Sequence, residues 1–355
     1  MLAVTGGDLL IVETWLRLCD GMNDERGGLL LQDLDGDAVS DALFLPTIIS
    51  DLGYGPGGVQ GALLIYRGQP DGAYELFYSP DILGQPQVVA GDDVNGDGQP
   101  DLVYTVASCG TACLAEVRII SWDAAAGEFV RIDAPGAFIA EGKVRIEDLP
   151  AGAAGQGKQL VLAGGVSGTT AGGIETPHEE IWRSLDGESF RRIGWSYDRT
   201  AAGNDCLGLR LVEANVALQA SDILGFAPAA ALYRAALNDD LRPCSIYGIP
   251  NSEELRMLRG QAAFRLLQTE TLSGSVPAAQ TVLDALAAED AENPFTAAGT
   301  AWLAAFQANG DAAAACKTVQ AIFDDETVTW QVTDHFGTDH PPLAPEEMCF
   351  APRAE

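Results

Sequence analysis

The order of apolar and polar residues divides the chain into two parts with different periodicities. From about residue 28 to residue 198, short apolar or alternating runs lie between Gly, Pro and Asp residues, which is the pattern of β-strands joined by turns. After about Asp198, apolar residues recur with the 3.6-residue period of an α-helix. We therefore predict a multidomain β + α protein, with a β domain over residues 1–198 and an α-helical domain over residues 199–355.

The β domain contains an internal repeat with a period of 60 residues, followed by a degenerate third copy. Each copy predicts four strands. The predicted strands are residues 28–32, 42–45, 62–67 and 74–78 in the first copy, 87–90, 102–106, 115–122 and 128–132 in the second, and 143–147, 159–163, 179–183 and 189–195 in the third. Four antiparallel strands per repeat form one blade of a β-propeller. The pattern therefore favours propeller-like blades.

The number of blades is not settled by the pattern, because propellers close with about four to eight blades and the repeats supply three. The apolar run at residues 9–18 could pair as part of a fourth blade. Alternatively, three blades could form an open fan whose exposed ends are covered by the helical domain. We favour three blades plus a partial one. Trp15, Tyr66, Trp122 and Trp182 are interpreted as core residues of strands.

The α-helical domain is predicted to contain three helical hairpins. Asn251, with Glu254 three residues later, predicts a capping box, and Asn293 before Pro294 predicts another helix start. Matching apolar positions in successive hairpins are 37 and 38 residues apart. This spacing is close to the tetratricopeptide (TPR) period of 34, and the hairpins resemble such repeats although the full consensus is absent. The tail from Trp330 onward is predicted to pack back as an irregular cap.

Two nine-residue segments, DLDGDAVSD and DVNGDGQPD, occupy the turn between the first two strands of the first two copies. Oxygen-bearing side chains fill positions 1, 3, 5 and 9 of both segments, and a backbone carbonyl at position 7 would complete a ligand set. The predicted ligands are Asp33, Asp35, Asp37, Val39 and Asp41 in the first segment, and Asp93, Asn95, Asp97, Gln99 and Asp101 in the second. Six to eight oxygen ligands suit Ca²⁺. We predict two Ca²⁺ sites; the alternative is a pair of acidic surface turns without metal.

These segments are not EF-hands, because position 12 is Phe44 or Tyr104 rather than Glu, and a strand rather than a helix follows. The motif D-x-[DN]-G-D-x-x-x-D before an apolar strand resembles the calcium loops of FG-GAP/VCBS repeats, known from integrin α-subunit propellers. The resemblance covers roughly residues 8–198 and implies calcium-loop blades. In the third copy, the turn at residues 148–158 has lost the acidic ligands, so no calcium is expected there.

The acidic composition disfavours nucleic acid and anionic membranes as partners. Twenty basic residues against fifty-one acidic ones give a net charge of −31, which repels nucleic acid and anionic membrane surfaces. No apolar run is long enough for a transmembrane helix, and Asp8, Glu13 and Arg17 interrupt the first nineteen residues, which are therefore not expected to be a signal peptide. High Asp, Gly and Ala content and the calcium loops favour an exported protein, located extracellularly or at the cell surface.

The positions of the seven cysteines predict three disulfides and one free thiol. Cys109 and Cys113 lie in one short loop, and the ends of the first helical hairpin bring Cys206 and Cys244 together. The returning tail brings Cys349 to Cys316 on the last helix, which leaves Cys19 unpaired. The alternative is seven free thiols in a reducing compartment.

Motifs for nucleophilic, phosphate-binding or zinc-protease chemistry are absent from the sequence. We therefore predict a non-catalytic protein-interaction or scaffold protein that binds a protein or a surface glycan. A metal-dependent hydrolase acting on polysaccharide or phosphoester is the alternative. The long connections between the second and third strands of each copy, residues 46–61, 107–114 and 164–178, should cluster opposite the calcium loops and bind the partner. Predicted contact residues there are Tyr54, Cys109, Cys113, Thr169, Thr170 and His178.

Overall fold

The computed structural model describes residues 8–23, 27–49, 59–109, 113–151, 153–165, 176–199, 205–238, 240–245, 248–325 and 343–352. The chain forms two compact units. The first comprises residues 1–169 and 181–191, and the second comprises residues 170–180 and 192–355. The division therefore passes through the strands near residues 180 and 191.

The described part of the first 198 residues contains one helix and sixteen strands. Helix α1 spans Leu9–Leu18. The strands are β1 (Gly28–Gln32), β2 (Asp41–Leu45), β3 (Thr47–Ile49), β4 (Val59–Ala62), β5 (Leu64–Gly68), β6 (Tyr74–Tyr78), β7 (Asp81–Leu83), β8 (Gln85–Asp92), β9 (Asp101–Cys109), β10 (Cys113–Asp123), β11 (Glu128–Ile132), β12 (Phe138–Ala140), β13 (Lys143–Asp148), β14 (Gln156–Gly164), β15 (His178–Ser184) and β16 (Phe190–Tyr197).

The strands form four antiparallel sheets, so the described protein is a mixed β and α structure. Three sheets have the strand orders β1-β2-β5-β6, β8-β9-β10-β11 and β13-β14-β15-β16, and β12 also pairs with β10. Each of the three predicted groups of four strands is thereby confirmed as one sheet. The described strands do not form a closed barrel or propeller.

The central sheet is buried on both faces. Successive side chains of β9 point to opposite faces of the sheet, and each face packs into a different apolar core. Tyr104 and Val106 belong to an apolar core with Leu43 of β2. Val103 belongs to a second core with Leu160 of β14. Nearly continuous apolar sequence in β9 therefore reflects a strand between two cores rather than a strand with one solvated face.

Two of the predicted long connections are wrong, because they contain strand residues. The connection at residues 46–61 includes β3 and most of β4, which form a fourth sheet with β7 in the order β3-β4-β7. The connection at residues 107–114 is shorter than predicted, because β9 and β10 remain paired as far as Cys109 and Cys113. Gly and Pro residues near these segments favour loops in the sequence. In the structure, backbone pairing between β3 and β4 and between β9 and β10 makes part of each segment a strand.

The run at residues 9–18 is an α-helix, so its predicted place in a partial fourth blade is wrong. The Asp8 carboxylate accepts hydrogen bonds from the Leu10 and Ile11 amides, which caps the helix N-terminus. Val12, four residues before Leu16, is buried with it, as expected for one face of a helix. Trp15 lies at the edge of this buried face and is 52% exposed, so its interpretation as a core residue is also wrong.

The remaining helices are α2 (Leu207–Gln219), α3 (Ser221–Leu224), α4 (Ala227–Asn238), α5 (Asn251–Leu272), α6 (Val276–Glu289), α7 (Pro294–Asn309) and α8 (Ala312–Phe323). Helix α2 packs against α4, α5 against α6, and α7 against α8, which matches the three predicted hairpins. Phe264, Phe295 and Phe323 meet in the common core with ring centroids 5.5–6.2 Å apart. No helix in the described ranges is long and apolar enough to cross a membrane.

The two predicted helix starts have different outcomes. Asn293 caps α7 as predicted, since its side chain accepts the Phe295 amide hydrogen bond at 3.0 Å. The capping box at Asn251 is wrong, because the helix begins at Asn251 itself and Pro250 holds the N-cap position. The Glu254 carboxylate instead accepts a hydrogen bond from the Cys244 amide, a contact that local sequence does not reveal.

The structure confirms two of the predicted disulfides, Cys206–Cys244 and Cys316–Cys349, and the free thiol at Cys19. Cys113 is also disulfide-bonded, and Cys109 lies directly opposite in the β9–β10 ladder. The Cys109 side chain is outside the described residues, so this third pairing stays a prediction. In the tail, the described residues 343–352 return to the helical core.

Candidate metal centre

The two predicted calcium segments form matching turns between antiparallel strands. We call residues 33–41, between β1 and β2, loop 1, and residues 93–101, between β8 and β9, loop 2. In each loop the second residue is an apolar anchor, since Leu34 and Val94 are buried in the cores on either side of the central sheet. Each loop is thus attached to an apolar core of the β unit.

The first residue of each loop wraps the backbone around its own carboxylate. Asp33 accepts hydrogen bonds from the amides of Gly36 and Ala38 at 2.8 and 2.9 Å. Asp93 accepts the equivalent bonds from Gly96 and Gly98 at 2.7 and 3.0 Å. Identical hydrogen bonds in both loops show that the repeated sequence produces a repeated backbone conformation.

Positions 3 and 5 also bond to the amide two residues later in both loops. In loop 2 the Asp97 amide donates to Asn95 Oδ1 at 3.0 Å and the Gln99 amide donates to Asp97 Oδ1 at 2.7 Å. In loop 1 the matching bonds join Asp37 to Asp35 at 3.2 Å and Val39 to Asp37 at 2.8 Å. The position-7 carbonyls of Val39 and Gln99 remain predicted ligands.

The carboxylates of loop 1 are close enough to share one ion. Asp33, Asp35 and Asp37 each offer one oxygen, and these oxygens lie within 4.8 Å of one another. Arg67 of β5 lies beside them, with Nε 2.7 Å from Asp35 Oδ2 and Nη2 3.4 Å from Asp37 Oδ2. This guanidinium partly offsets the repulsion among the three carboxylates.

The ninth residue closes each loop from a buried position. Asp41 accepts the Leu34 amide at 2.9 Å and the Gly68 amide of β5 at 3.0 Å. Asp101 accepts the Val94 and Asn95 amides at 2.9 and 3.1 Å. Burial therefore fixes one acidic side chain beneath each loop.

Burial raises the pKa of three of these carboxyl groups above the ordinary value of aspartic acid. The effect is largest at Asp101, where burial raises the pKa to about 6 against the opposing influence of the Ser121 hydroxyl and two backbone amides. Burial also raises the pKa of Asp35 and of Asp41, although backbone hydrogen bonds act in the opposite direction. A raised pKa means that the ionised carboxylates lack full compensation from the protein.

Each loop contains one buried carboxylate oxygen that accepts no hydrogen bond. These atoms are Asp35 Oδ2 at position 3 of loop 1 and Asp101 Oδ1 at position 9 of loop 2. The Ser121 hydroxyl, which opposes the rise in the Asp101 pKa, donates its hydrogen bond to Asp97 Oδ2 rather than to Asp101 Oδ1. The Arg67 Nε contact to Asp35 lacks hydrogen-bond geometry despite its short distance. Among the described residues, no other buried carboxylate oxygen lacks a hydrogen bond. The oxygen-rich side chains of each loop, with one such oxygen apiece, fit one hard cation per loop. Among the described residues, only Asp33, Asp35 and Asp37 of loop 1 form a close cluster of acidic groups.

The loops adjoin one another at one end of the β unit, as predicted for equivalent turns. A Cβ atom at Gly36 of loop 1 would meet the Gln99 side chain of loop 2 at 2.6 Å. A Cβ atom at Gly96 would meet the backbone nitrogen of Gly157, beside the turn of the third copy, at 2.5 Å. Glycine at position 4 therefore provides both a positive φ angle and room for the adjacent turn.

The predicted partner surface is described only in part. Tyr54, Thr169 and Thr170 lie outside the described residues. Cys113 is a paired strand residue rather than a loop residue, and the Cys109 side chain is not described. These positions are therefore not brought together into a site by the described structure.

His178 is not part of an exposed loop, so its predicted role in partner binding is wrong. It begins β15, and its Nε2 lies 3.4 Å from Glu180 Oε1 while its ring stacks on Trp195 at a centroid distance of 3.9 Å. Arg192 Nε lies 2.6 Å from the other Glu180 oxygen. The side chains of His178 and Glu180 are both 0% exposed.

The sequence pattern does not reveal this buried cluster, because it predicts a strand over residues 179–183, whereas the strand begins at His178. Extending the strand to include His178 places it on the same face as Glu180 and Trp182, since side chains alternate along a strand. That alternation was the available signal. The contribution of Arg192 comes from the following strand, β16, and no local pattern indicates it.

Comparison with known proteins provides no family assignment. No protein-family model matches the chain, and no curated protein matches it in sequence.

Proposed function

We propose that the protein is an exported calcium-binding protein with a non-catalytic interaction or scaffold role. Its β sheets would act as propeller-like blades of the FG-GAP/VCBS kind, and its hairpins as a TPR-like stack. The observation that carries this proposal is the pair of buried carboxylate oxygens without hydrogen bonds, one in each loop. A buried carboxylate oxygen without a hydrogen bond is costly, and at Asp35 the nearby Arg67 guanidinium offsets this cost only in part. A bound cation at each loop would therefore stabilise the folded state.

The blade interpretation is supported by the repeated sheet order and by face-to-face packing of the first two sheets through Leu43 and Tyr104. In both of these sheets the metal loop joins the first and second strands. Such repeats bury their faces against their neighbours and leave loops at the ends available for function. The helical hairpins would provide a second surface for a protein partner.

Export is supported by the disulfides Cys206–Cys244 and Cys316–Cys349, which are typical of oxidising compartments. Extracellular fluid also supplies the calcium that loops of this kind require. A protein or surface glycan is the proposed partner. The net charge of −31 disfavours nucleic acid.

No specific observation favours the hydrolase alternative. An acid–base pair at an active site must reach its substrate. The His178–Glu180 pair has no exposed side-chain surface and is held by Arg192 and Trp195. We interpret it as a structural contact within the buried part of the sheet.

Calcium titration by calorimetry, together with thermal unfolding in calcium and in chelator, tests the metal function. We expect two sites, and a stabilisation of roughly 3 kcal/mol when free calcium exceeds the dissociation constant a hundredfold. The variants Asp33→Ala and Asp93→Ala should each remove one site, whereas Asp123→Ala, in an ordinary turn, should remove none. Identical unfolding of metal-free protein with and without calcium would contradict the proposal.

Binding to a glycan array and to defined cell-surface proteins, with and without calcium, tests the interaction role. We expect saturable binding that weakens in chelator. Release of hydrolysed product from polysaccharide or phosphoester substrates would instead support the hydrolase.

A further inference from the structure

Arg67 and Ser121 occupy the same structural position beside the two loops. In the first sheet Ala42, which follows loop 1, pairs with Tyr66, and in the second sheet Leu102, which follows loop 2, pairs with Ile120. The next residues along β5 and β10 are Arg67 and Ser121. The repeat therefore places a guanidinium beside loop 1 and a hydroxyl beside loop 2.

The Arg67 side chain connects loop 1 to an aromatic cluster. It contacts Asp35 and Asp37, as described above, and its Cζ lies 5.9 Å from the ring centroids of both Phe77 and Trp122. The Asp35 side chain is 2% exposed and that of Arg67 is 37% exposed. The positive charge is thus directed at a predicted ligand of loop 1 whose side chain is almost fully buried, while part of the guanidinium remains in contact with solvent.

Ser121 makes neutral contacts with the matching positions of loop 2. Its hydroxyl lies 3.4 Å from Asp97 Oδ2, and Asn95 Nδ2 lies 3.5 Å from that hydroxyl. The residue at position 3 and the neighbouring residue beside the loop both differ between the two loops. Loop 1 has Asp35 with Arg67, whereas loop 2 has Asn95 with Ser121. The side chains at positions 1, 3, 5 and 9 and this neighbour therefore carry the same net charge in both loops.

We propose that Arg67 is a resident counter-ion of loop 1 that calcium must displace, so that loop 2 binds calcium more tightly and is occupied first. This inference rests on the proposed calcium function and adds an order of binding to it. A guanidinium and a divalent cation compete for the same Asp35 oxygen, whereas Ser121 presents no positive charge to loop 2.

The aromatic cluster makes this displacement physically accessible. When Asp35 binds calcium, Arg67 loses an ion pair but remains beside the faces of Phe77 and Trp122, where a cation is stabilised by the ring electrons. Calcium binding at loop 1 should therefore alter the surroundings of Trp122. Occupation of loop 2 should not move Arg67.

The test exchanges the two residues. Arg67→Ser is examined in an Asp93→Ala background, which leaves loop 1, and Ser121→Arg is examined in an Asp33→Ala background, which leaves loop 2. Calorimetric titration with CaCl₂ should show about tenfold tighter binding at loop 1 in Arg67→Ser and about tenfold weaker binding at loop 2 in Ser121→Arg. Arg131→Ser, which removes an equal charge paired with Glu116 on β10, should leave both affinities within about twofold.

The outcomes separate this inference from the calcium proposal. If neither loop binds calcium in the wild-type protein, the calcium proposal fails. If the loops bind but Arg67→Ser and Ser121→Arg leave the affinities unchanged, or if loop 1 is the tighter site, the Arg67 inference is overturned while calcium binding stands. If Arg67→Ser does not fold without metal, the reciprocal Ser121→Arg titration alone decides between the same outcomes.

Discussion

The carboxylate of Asp101 accepts the backbone N–H of Val94 at 2.9 Å and thereby closes loop 2 across seven residues. Asp41 accepts the N–H of Leu34 at the same distance in loop 1. In both pairs the donor is an apolar anchor in the core and the acceptor is the first residue of a buried strand. Each loop is consequently held at both ends before any metal binds.

Replacement of Asp101 by Ala should destabilise the metal-free protein by about 2 to 3 kcal/mol, because the buried Val94 and Asn95 amides lose their acceptor. Denaturant unfolding in chelator measures this loss. The control is Asp123→Ala, which removes bonds to the exposed amides of Ala125 and Ala126 and should cost under about 1 kcal/mol. Equal losses in both variants would show that Asp101 has no special closing role.

The calcium-free protein should become more stable as the pH falls from about 6 toward 4. Burial raises the pKa of Asp101 to about 6, so the folded state binds more protons than the unfolded state in this window. For Asp101 the gain is on the order of 3 kcal/mol. Stability is lost again as the pH rises through the folded pKa, unless calcium replaces the proton.

Thermal melts in chelator across this pH range test the effect, with Asp101→Asn as the comparison. The variant keeps the side-chain shape without the titration, and its profile should therefore be flatter. If wild type and variant have parallel profiles, general acidity rather than Asp101 determines the pH dependence.

Replacement of Ala38 by Gly should stabilise loop 1 by up to about 1 kcal/mol. Ala38 has a φ angle of +69°, and the equivalent residue in loop 2 is Gly98 with a φ angle of +87°. A left-handed conformation is unfavourable for Ala, and this cost exceeds the extra entropy of Gly in the unfolded chain. The reverse change, Gly98→Ala, should cost about 1 to 2 kcal/mol although a Cβ there meets no atom within 4 Å. Urea unfolding in chelator that found the opposite signs would refute this conformational account.

Removal of the Cys316–Cys349 bridge should detach the C-terminal segment and destabilise the helical unit. The bridge closes 33 residues, which corresponds to about 4 kcal/mol in the chain-entropy model. Gln268 also holds this segment, since its Nε2 donates to Phe350 O at 3.3 Å and its Oε1 accepts the Phe350 amide at 3.2 Å. Denaturant unfolding of Cys316→Ser/Cys349→Ser should show the loss, and Cys19→Ser should match wild type. An unchanged midpoint in the double variant would mean that packing alone retains the tail.

Alkylation of native, unreduced protein should modify Cys19 alone. Cys19 is exposed and free, whereas Cys113 and the four helical-unit cysteines are disulfide-bonded. Peptide mapping identifies the modified positions. Modification of Cys109 would contradict its predicted bridge to Cys113.

Local sequence determined the twelve predicted strands, the helical hairpins and the two loops, because each depends on short-range periodicity or on hydrogen bonds within nine residues. It did not indicate β3, β4, β7 or β12. The turns that begin at Asp33 and Asp93 are examples, because each of these carboxylates accepts hydrogen bonds from amides at most five residues later in the chain. The disulfides Cys206–Cys244 and Cys316–Cys349 were also predictable, because antiparallel helices and a returning tail constrain where their ends meet.

Tertiary structure decided the features that depend on residues distant in sequence. The run at residues 9–18 is short and apolar on most sides, so its periodicity alone does not distinguish a strand from a helix. The burial of His178 depends on Trp195 of another strand. The ion pair between Arg67 and Asp35 depends on strand register, because it joins residues on different segments of the sheet. Sequence therefore specified which residues could bind a cation, whereas packing decided which of their buried oxygens accept no hydrogen bond.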